Sequence, residues 1–355
     1  MRLLLLPGDA IGPEIAAATE QVLRATDDAF GLDLDIEHRD IGWAAHAAVG
    51  QTMPQDVLDR VGEVDGTILG PVSHLDYPSR EAGGWNPSAA IRTTYRLYSN
   101  VRPARSIPDL TVLPEALDLV IVRENTEGFY SDRNMWAGSG EFMPDPDLAL
   151  SVRKVSRRAC NAVAEEAFRL AAGRRRRVTA VHKANVLKLS DGLFLDEVRA
   201  VASRHPDIEL RELIVDAATA HLVRSPQEFD VVVTTNMFGD ILSDLACALS
   251  GSLGLGGSLN VGDGVAVAQA QHGSAPDIAG QGIANPTSLI LSTTMLLRWW
   301  SERTASERFA RAADAVDAAV AACIGDPATR TRDLRGSLDT NQFTTAILTK
   351  LESQR

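Results

Sequence analysis

The sequence predicts an α/β fold, with helices packed on a largely parallel or mixed sheet. Short apolar runs alternate with helical segments along the whole chain. Several of those runs lead directly into charged or glycine-containing motifs, and the carboxyl ends of strands are where α/β sheets place their ligands.

Residues 3–6, a run of leucines, read as a first buried strand, because Pro7-Gly8-Asp9 follows at once and the run is too short for a signal peptide. Residues 14–29 show helical spacing. Strands are predicted at 34–38 and 66–69, the second leading into Gly70-Pro71. Further strands are expected at 119–122, 178–182, 209–215 and 231–235, and a helix at 289–300. Residues 136–146, rich in Gly, Ser and Pro, read as an exposed excursion. The arginine run 174–177 lies between a helix and a strand and reads as a solvated loop near a helix C-terminus. Trp299-Trp300 reads as core or subunit contact.

A chain of 355 residues has room for two domains or one large one. No apolar run approaches the roughly 20 residues that span a bilayer. The net charge of −12 argues against nucleic acid or an anionic membrane as the main partner. Cys160, Cys247 and Cys323 are widely separated and form no metal spacing, so they read as core filler in a reducing cytoplasm. The glycine-rich segment 251–257 does not fit Gly-x-Gly-x-x-Gly, so a dinucleotide would need a different loop.

Asp240 and Asp244 stand four residues apart in Gly239-Asp-Ile-Leu-Ser-Asp244, after a strand-like run and a short turn. Like charges at this spacing repel by a few tenths of a kcal/mol on a helix. A cation between them resolves the conflict, and hard oxygen ligands without nearby His or Cys suit Mg²⁺ or Mn²⁺. The alternative is a solvated acidic first turn favoured by the helix dipole. Arg92, Arg102 and Arg123 come from three elements and would suit a substrate with several carboxylates, with surface ion pairing as the alternative. Lys183 follows a strand, where burial and nearby cations can make a lysine a base. Tyr130 offers a phenolic proton.

The chain resembles the β-decarboxylating dehydrogenases, the isocitrate/homoisocitrate/3-isopropylmalate dehydrogenase family, over nearly its whole length. The resemblance is carried by Gly8-Asp-Ala-Ile-Gly-Pro-Glu14, Leu97-Tyr-Ser-Asn-Val-Arg-Pro103, Arg123-Glu-Asn-Thr-Glu-Gly128, Lys183-Ala-Asn185, Gly239-Asp-Ile-Leu-Ser-Asp244 and His272-Gly-Ser-Ala-Pro-Asp-Ile-Ala-Gly280. It implies a two-domain fold of the isopropylmalate/isocitrate dehydrogenase type with a mixed sheet, and not a Rossmann fold. A large discontinuous cofactor-binding domain is expected at 1–97 and 250–355. A small domain with substrate and metal residues and a dimer interface is expected at 98–249.

The resemblance further implies substrate carboxylates on Arg92, Arg102 and Arg123, and metal on Asp216, Asp240 and Asp244. Tyr130 and Lys183 become the catalytic acid and base. Lys183 and Asp216 would reach the site from the other subunit of a homodimer. The cofactor would lie on His272, Gly273, Ser274, Ala275, Asp277 and Ile278, with Asn185 and Asn285. Asp277 selects NAD⁺, since a carboxylate accepts hydrogen bonds from ribose hydroxyls and repels a 2′-phosphate. Two positions depart from the family: Ala10 where Gly is usual, and Gln269 where Glu is usual.

Asn86 and Ser88 precede Arg92 and should face the C3 substituent of a 2-hydroxy acid. Their polarity favours a polar or anionic substituent, as in isocitrate, homoisocitrate or a phosphonate analogue, over the isopropyl group of 3-isopropylmalate. Oxidation of tartrate or malate stays open, and His74, Arg80 and Arg133 are further candidate anion partners. A non-catalytic regulatory subunit is the alternative from a different class. It is disfavoured because the arginines, lysine and aspartates are all present. The expected setting is the cytoplasm.

Overall fold

The computed structural model describes residues 1–113, 116–130, 132 and 134–353. In chain order the elements are β1 (Arg2–Leu6), α1 (Gly12–Phe30), β2 (Asp35–His38), α2 (Gly42–Val49), α3 (Gln55–Val61), β3 (Gly66–Leu69) and α4 (Pro87–Thr94). Next come β4 (Ser99–Arg105), β5 (Asp118–Glu124), β6 (Glu141–Asp145), β7 (Leu148–Ser151), α5 (Arg157–Ala172), β8 (Arg177–His182) and α6 (Ser190–Ala202). They are followed by β9 (Glu209–Ile214), α7 (Val215–Arg224), β10 (Val231–Thr234) and α8 (Asn236–Ser250). The chain ends with β11 (Leu259–Val261), β12 (Ala266–Gln269), α9 (Thr287–Thr304), α10 (Glu307–Gly325) and α11 (Thr340–Glu352).

The chain divides into two compact units. The first comprises Met1–Tyr95, Ile107–Leu110 and Gly251–Arg355; the second comprises Arg96–Ser106 and Thr111–Ser250. The first unit carries strands in the order β2-β1-β3-β12-β11, parallel except for the antiparallel β11–β12 pair. Leu3, Leu4, Leu5 and Leu6 are all buried, as the continuous apolar run requires of a strand covered on both faces. Burying each such leucine contributes about 1.5–3 kcal/mol. The N–H of Gly31, in the left-handed conformation, closes α1 onto the Asp27 carbonyl. A second core layer joins Val22 of α1 to Ile290, Val316, Val320, Phe343 and Ile347.

The second unit has the order β4-β5-β10-β8-β9, with β4 antiparallel to β5 and the rest parallel. Its core gathers Leu119, Ile121, Val181, Phe229, Val232 and Leu242. Residues 136–146 do form an exposed excursion, and its end is organised as a hairpin in which β6 pairs antiparallel with β7.

One local expectation is refined and another corrected. The arginine run 174–177 does leave α5 through a turn with Arg175 and Arg176 exposed, and it also forms ion pairs. Arg174 reaches the fully buried Asp230 and also Asp118, each at 2.8 Å, and Arg177 reaches Glu209 at 3.0 Å. A buried carboxylate at Asp230 demands such partners. No turn separates the Val231 strand from the aspartates, because α8 begins at Asn236, immediately after Thr235. Asp240 and Asp244 therefore lie inside the helix, and its first turn holds no acidic residue, so the helix dipole does not account for them.

Candidate active site

In the second unit, β5 delivers Arg123 at its carboxyl end and β4 delivers Arg102. Both guanidinium groups are almost completely buried. Arg123 donates from Nε to Asn236 Oδ1 at 2.8 Å, from Nη2 to the Tyr130 hydroxyl at 2.6 Å, and from Nη1 to Asp240 Oδ1. Arg102 donates to Ser243 Oγ at 2.8 Å, to Asp240 Oδ1 at 3.2 Å and to Asp244 Oδ1 at 3.5 Å, while its Nε is held by Asn100. The Tyr130 hydroxyl in turn donates to Asp240 Oδ2 at 3.2 Å.

Burial pulls Arg123 down from its usual range to about 10, with Arg102 acting in the same direction, while Asp240, Tyr130 and Glu124 act to keep it charged. Removing one partner of a fully buried pair costs about 3–5 kcal/mol. Solvent reaches Asp240, whose side chain is 41% exposed, so the corresponding cost here is smaller. The turn after β5 is pinned by Glu124, whose carboxylate accepts from the Thr126 backbone and hydroxyl at 2.6 Å each and from the Glu127 backbone at 3.0 Å.

Gly239 explains how α8 comes so close to Arg123. A β-carbon there would stand 2.7 Å from Arg123 Cβ and Cγ and 3.1 Å from its Cα, too near for any side chain. Asn236, which the sequence reading passed over, bridges Arg123 and the Glu127 carbonyl, the latter at 2.8 Å.

Also in the second unit, Lys183 Nζ and Asp216 Oδ1 form an ion pair whose carboxylate is largely solvent-exposed. Lys183 holds Asp216 below the usual carboxylate range, chiefly by this hydrogen bond. The Lys183 backbone N–H donates to the buried Asp191, which also pairs with Arg153. Asp191, which fixes the Lys183 backbone in this way, has no sequence signature. Asn185 is exposed, as are its apolar neighbours Val186 and Leu189, the latter at 90%. On α8, Met237 and Ile241 are exposed one turn apart, and Phe142, Leu148 and Leu150 are exposed on the hairpin.

The first unit holds the remaining candidates. Asn86 caps α4, accepting from the Ala89 backbone at 3.1 Å, with Pro87 opening the helix. Ser88 and Arg92, one turn apart, both donate to Gln269 Oε1, at 3.2 and 2.9 Å. The polarity of Asn86 and Ser88 is therefore already used inside the fold. Arg80 stacks over the Trp85 ring at 4.1 Å, His74 is exposed, and Arg133 lies outside the described residues.

The loop 272–280 is tied to the first motif. The Ile11 N–H donates to the Ser274 carbonyl at 3.1 Å, and the Ser73 and Ser274 hydroxyls meet at 2.8 Å. Asp9 organises this corner, accepting from the Trp43 and Ser73 backbones at 2.8 and 2.9 Å and from the Tyr77 hydroxyl. Ala10 sits at φ +53°, the left-handed region in which glycine carries no steric penalty.

The group set fits a dinucleotide. His272 Nδ1 lies 2.9 Å from the Gly273 carbonyl, which assigns the ring proton to Nδ1. Nε2 is then a buried acceptor without a hydrogen-bond partner, matched to a donor such as an exocyclic amine. Burial lowers the His272 pKa and keeps the ring neutral. Asp277 is exposed beside neutral Ile278, with no lysine or arginine in the loop 272–280. Gly273 is likewise exposed, and Asn285 is held by Asp333 at 3.0 Å and by the Thr287 backbone at 3.0 Å.

For a divalent metal the donor set is hard oxygen, as Mg²⁺ or Mn²⁺ requires. Among the described residues of one chain, no three His, Cys, Asp or Glu side chains cluster as ligands. Asp240 and Asp244 supply two carboxylates from one helix face, so further ligands must come from substrate, water or a second copy.

Fold and motifs together define a decarboxylating dehydrogenase, an oxidoreductase. The chain belongs to the isocitrate/isopropylmalate dehydrogenase family, which it matches over residues 2–347. It is 41% identical to the isocitrate/homoisocitrate dehydrogenase of Thermus thermophilus over 356 aligned positions, covering 99% of each chain. It is 38% identical to the 3-isopropylmalate dehydrogenase of Methanothermobacter thermautotrophicus, again over 99% of each. A solved isocitrate dehydrogenase from Methylococcus capsulatus superposes with a TM-score of 0.85 at 38% identity, covering 99% of both chains.

Gly239→Ala tests the close approach of α8. The substitution gains about 1 kcal/mol of helix propensity but overpacks against Arg123 at a cost of about 1–3 kcal/mol. A melting temperature lowered by up to several degrees and a kcat/KM at least about tenfold lower are expected. Unchanged activity would show that Arg123 tolerates displacement.

Proposed function

We propose that this protein catalyses NAD⁺- and divalent-metal-dependent oxidative decarboxylation of a 2-hydroxy acid with a carboxylate on C3. The favoured substrate carries a further polar or anionic C3 substituent, as in isocitrate, homoisocitrate or a phosphonate analogue. The observation that carries the reading is the pair of buried guanidinium groups, Arg102 and Arg123, joined through Asp240 to the phenol of Tyr130. Desolvating two cations side by side is costly, and an anionic substrate with several carboxylates repays that cost.

Arg92, Arg102 and Arg123 bind and orient the substrate carboxylates. When bound, the divalent ion on Asp216, Asp240 and Asp244 supplies a Lewis acid for the C2 oxygen and for charge developing as carbon dioxide leaves, and NAD⁺ supplies the hydride acceptor. Lys183 takes the hydroxyl proton as the C2–H bond gives up its hydride. The bond from C3 to its carboxylate then breaks, releasing carbon dioxide and leaving its electron pair in an enolate. Tyr130 donates its proton to C3, and the adjacent Arg123 cation stabilises the phenolate left behind.

The chain acts as a homodimer with shared sites. This accords with the exposed apolar residues on α8, beside Lys183 and on the hairpin, and with the absence of a three-ligand cluster among the described residues of one chain. Asp277 directs the preference for NAD⁺. A second reading, 3-isopropylmalate, is favoured by one observation: the fold itself employs the polar groups of Asn86 and Ser88, so they do not require a polar ligand.

Reduced-cofactor formation across 3-substituted malates with Mg²⁺, run with NAD⁺ and NADP⁺, tests substrate and cofactor together. Isocitrate-type or phosphonate substrates are expected to exceed 3-isopropylmalate by about tenfold or more in kcat/KM, with NAD⁺ preferred. The reverse order in either comparison removes that half of the proposal.

Mixing inactive Lys183→Ala with inactive Arg123→Ala protein tests the shared site. Partial recovery of activity is expected as heterodimers form. No recovery despite verified subunit exchange would mean that each chain builds its own site.

A further inference from the structure

The side-chain oxygen of Gln269 accepts from three donors: Arg92 Nη2 at 2.9 Å, Ser88 Oγ at 3.2 Å and Asn260 Nδ2 at 3.3 Å. Its backbone is fixed as well, with its N–H on the Ser258 carbonyl at 3.0 Å and its carbonyl accepting from Ser292 at 2.9 Å. All of these residues belong to the first unit. An oxygen with three donors, one of them a guanidinium, is a position that favours a carboxylate, since charge-assisted hydrogen bonds are about twice as strong as neutral ones. The chain places an amide there and forgoes that gain. Glutamine preserves the geometry of the contact and adds no negative charge beside Arg92.

The geometry points to Gln269 as a specificity-determining residue: it orients Arg92 and Ser88 through a neutral acceptor and so tunes the site toward substrates with a third anionic group on C3. This rests on the reading above that Arg92 binds a substrate anion. Gln269 acts through Arg92 and is a positioning residue. The selection is electrostatic. A carboxylate at the same place would offset the guanidinium charge and repel an incoming anion, with the largest effect on the most highly charged substrate.

The test compares Gln269→Glu, which keeps the acceptor and adds charge, with Gln269→Leu, which removes the acceptor. For each protein, kcat and KM are measured with isocitrate, which has three carboxylates, and with malate, which has two. Binding of the same two anions is measured by titration calorimetry without NAD⁺. Gln269→Glu is expected to lower the isocitrate-to-malate ratio of kcat/KM at least about tenfold. The change should appear mainly in KM, be reproduced in the binding ratio, and leave the melting temperature near wild type. Gln269→Leu should weaken both anions together, because Arg92 loses its anchor.

An unchanged ratio in Gln269→Glu overturns the inference even if wild-type turnover upholds the proposed reaction. A lowered binding ratio in a protein that turns over neither acid upholds the inference and overturns the reaction. A wild-type protein that binds isocitrate no better than malate also overturns the inference.

Discussion

The buried positive charge of Arg123 is the constraint on which the second unit's candidate site depends. A guanidinium removed from water must find its hydrogen bonds in the protein, and Arg123 finds them on Asn236, Tyr130 and Asp240. Each partner fixes another element. Asn236 starts α8 directly after β10 and reaches back to the Glu127 carbonyl. Gly239 lets that helix lie against the arginine, and Asp240 then falls between Arg123 and Arg102. The carboxylate proposed to hold a metal is thus first the counter-ion of two buried cations.

The first unit handles its cation differently. Arg92 meets a neutral amide on a strand whose backbone is anchored by two serines. The contrast matters for chemistry. Asp240 offsets part of the buried charge of Arg102 and Arg123, whereas the amide of Gln269 orients Arg92 without adding a negative charge. In the loop 272–280, exposed Asp277 and the buried acceptor of His272 provide the polarity a dinucleotide needs, and the loop is held to the rest of its unit through Ser274 and the corner organised by Asp9.

Much of the fold was legible because burial imposes periodicity. The leucines of β1 and the valines of β10 read as strands from sequence alone, since strands covered on both faces lack polar alternation. Contiguous motifs carried the candidate site: Arg123, Lys183, Asp240 and the loop 272–280 each stand at the end of a recognisable run. The roles of Asn236, Gln269 and Asp191 were not legible, because each joins residues far apart in sequence and leaves no local pattern. Asn86 shows the opposite failure. Its polarity suggested a ligand contact, while a helix N-cap next to Pro87 accounts for its carbonyl oxygen. The arginines at 174–177 read correctly as an exposed turn after a helix, but a charged run reveals nothing of the buried Asp230 that Arg174 serves.

The central claim is that Asp240 and Asp244 serve a divalent cation as well as two arginines. The direct measurement is isocitrate-dependent NADH formation by protein stripped with EDTA, before and after titration with Mg²⁺ or Mn²⁺, alongside Asp240→Asn. No activity in chelator, saturable recovery with either ion, and a loss of orders of magnitude in Asp240→Asn that added metal does not repair are expected. Full activity in excess EDTA would contradict that claim.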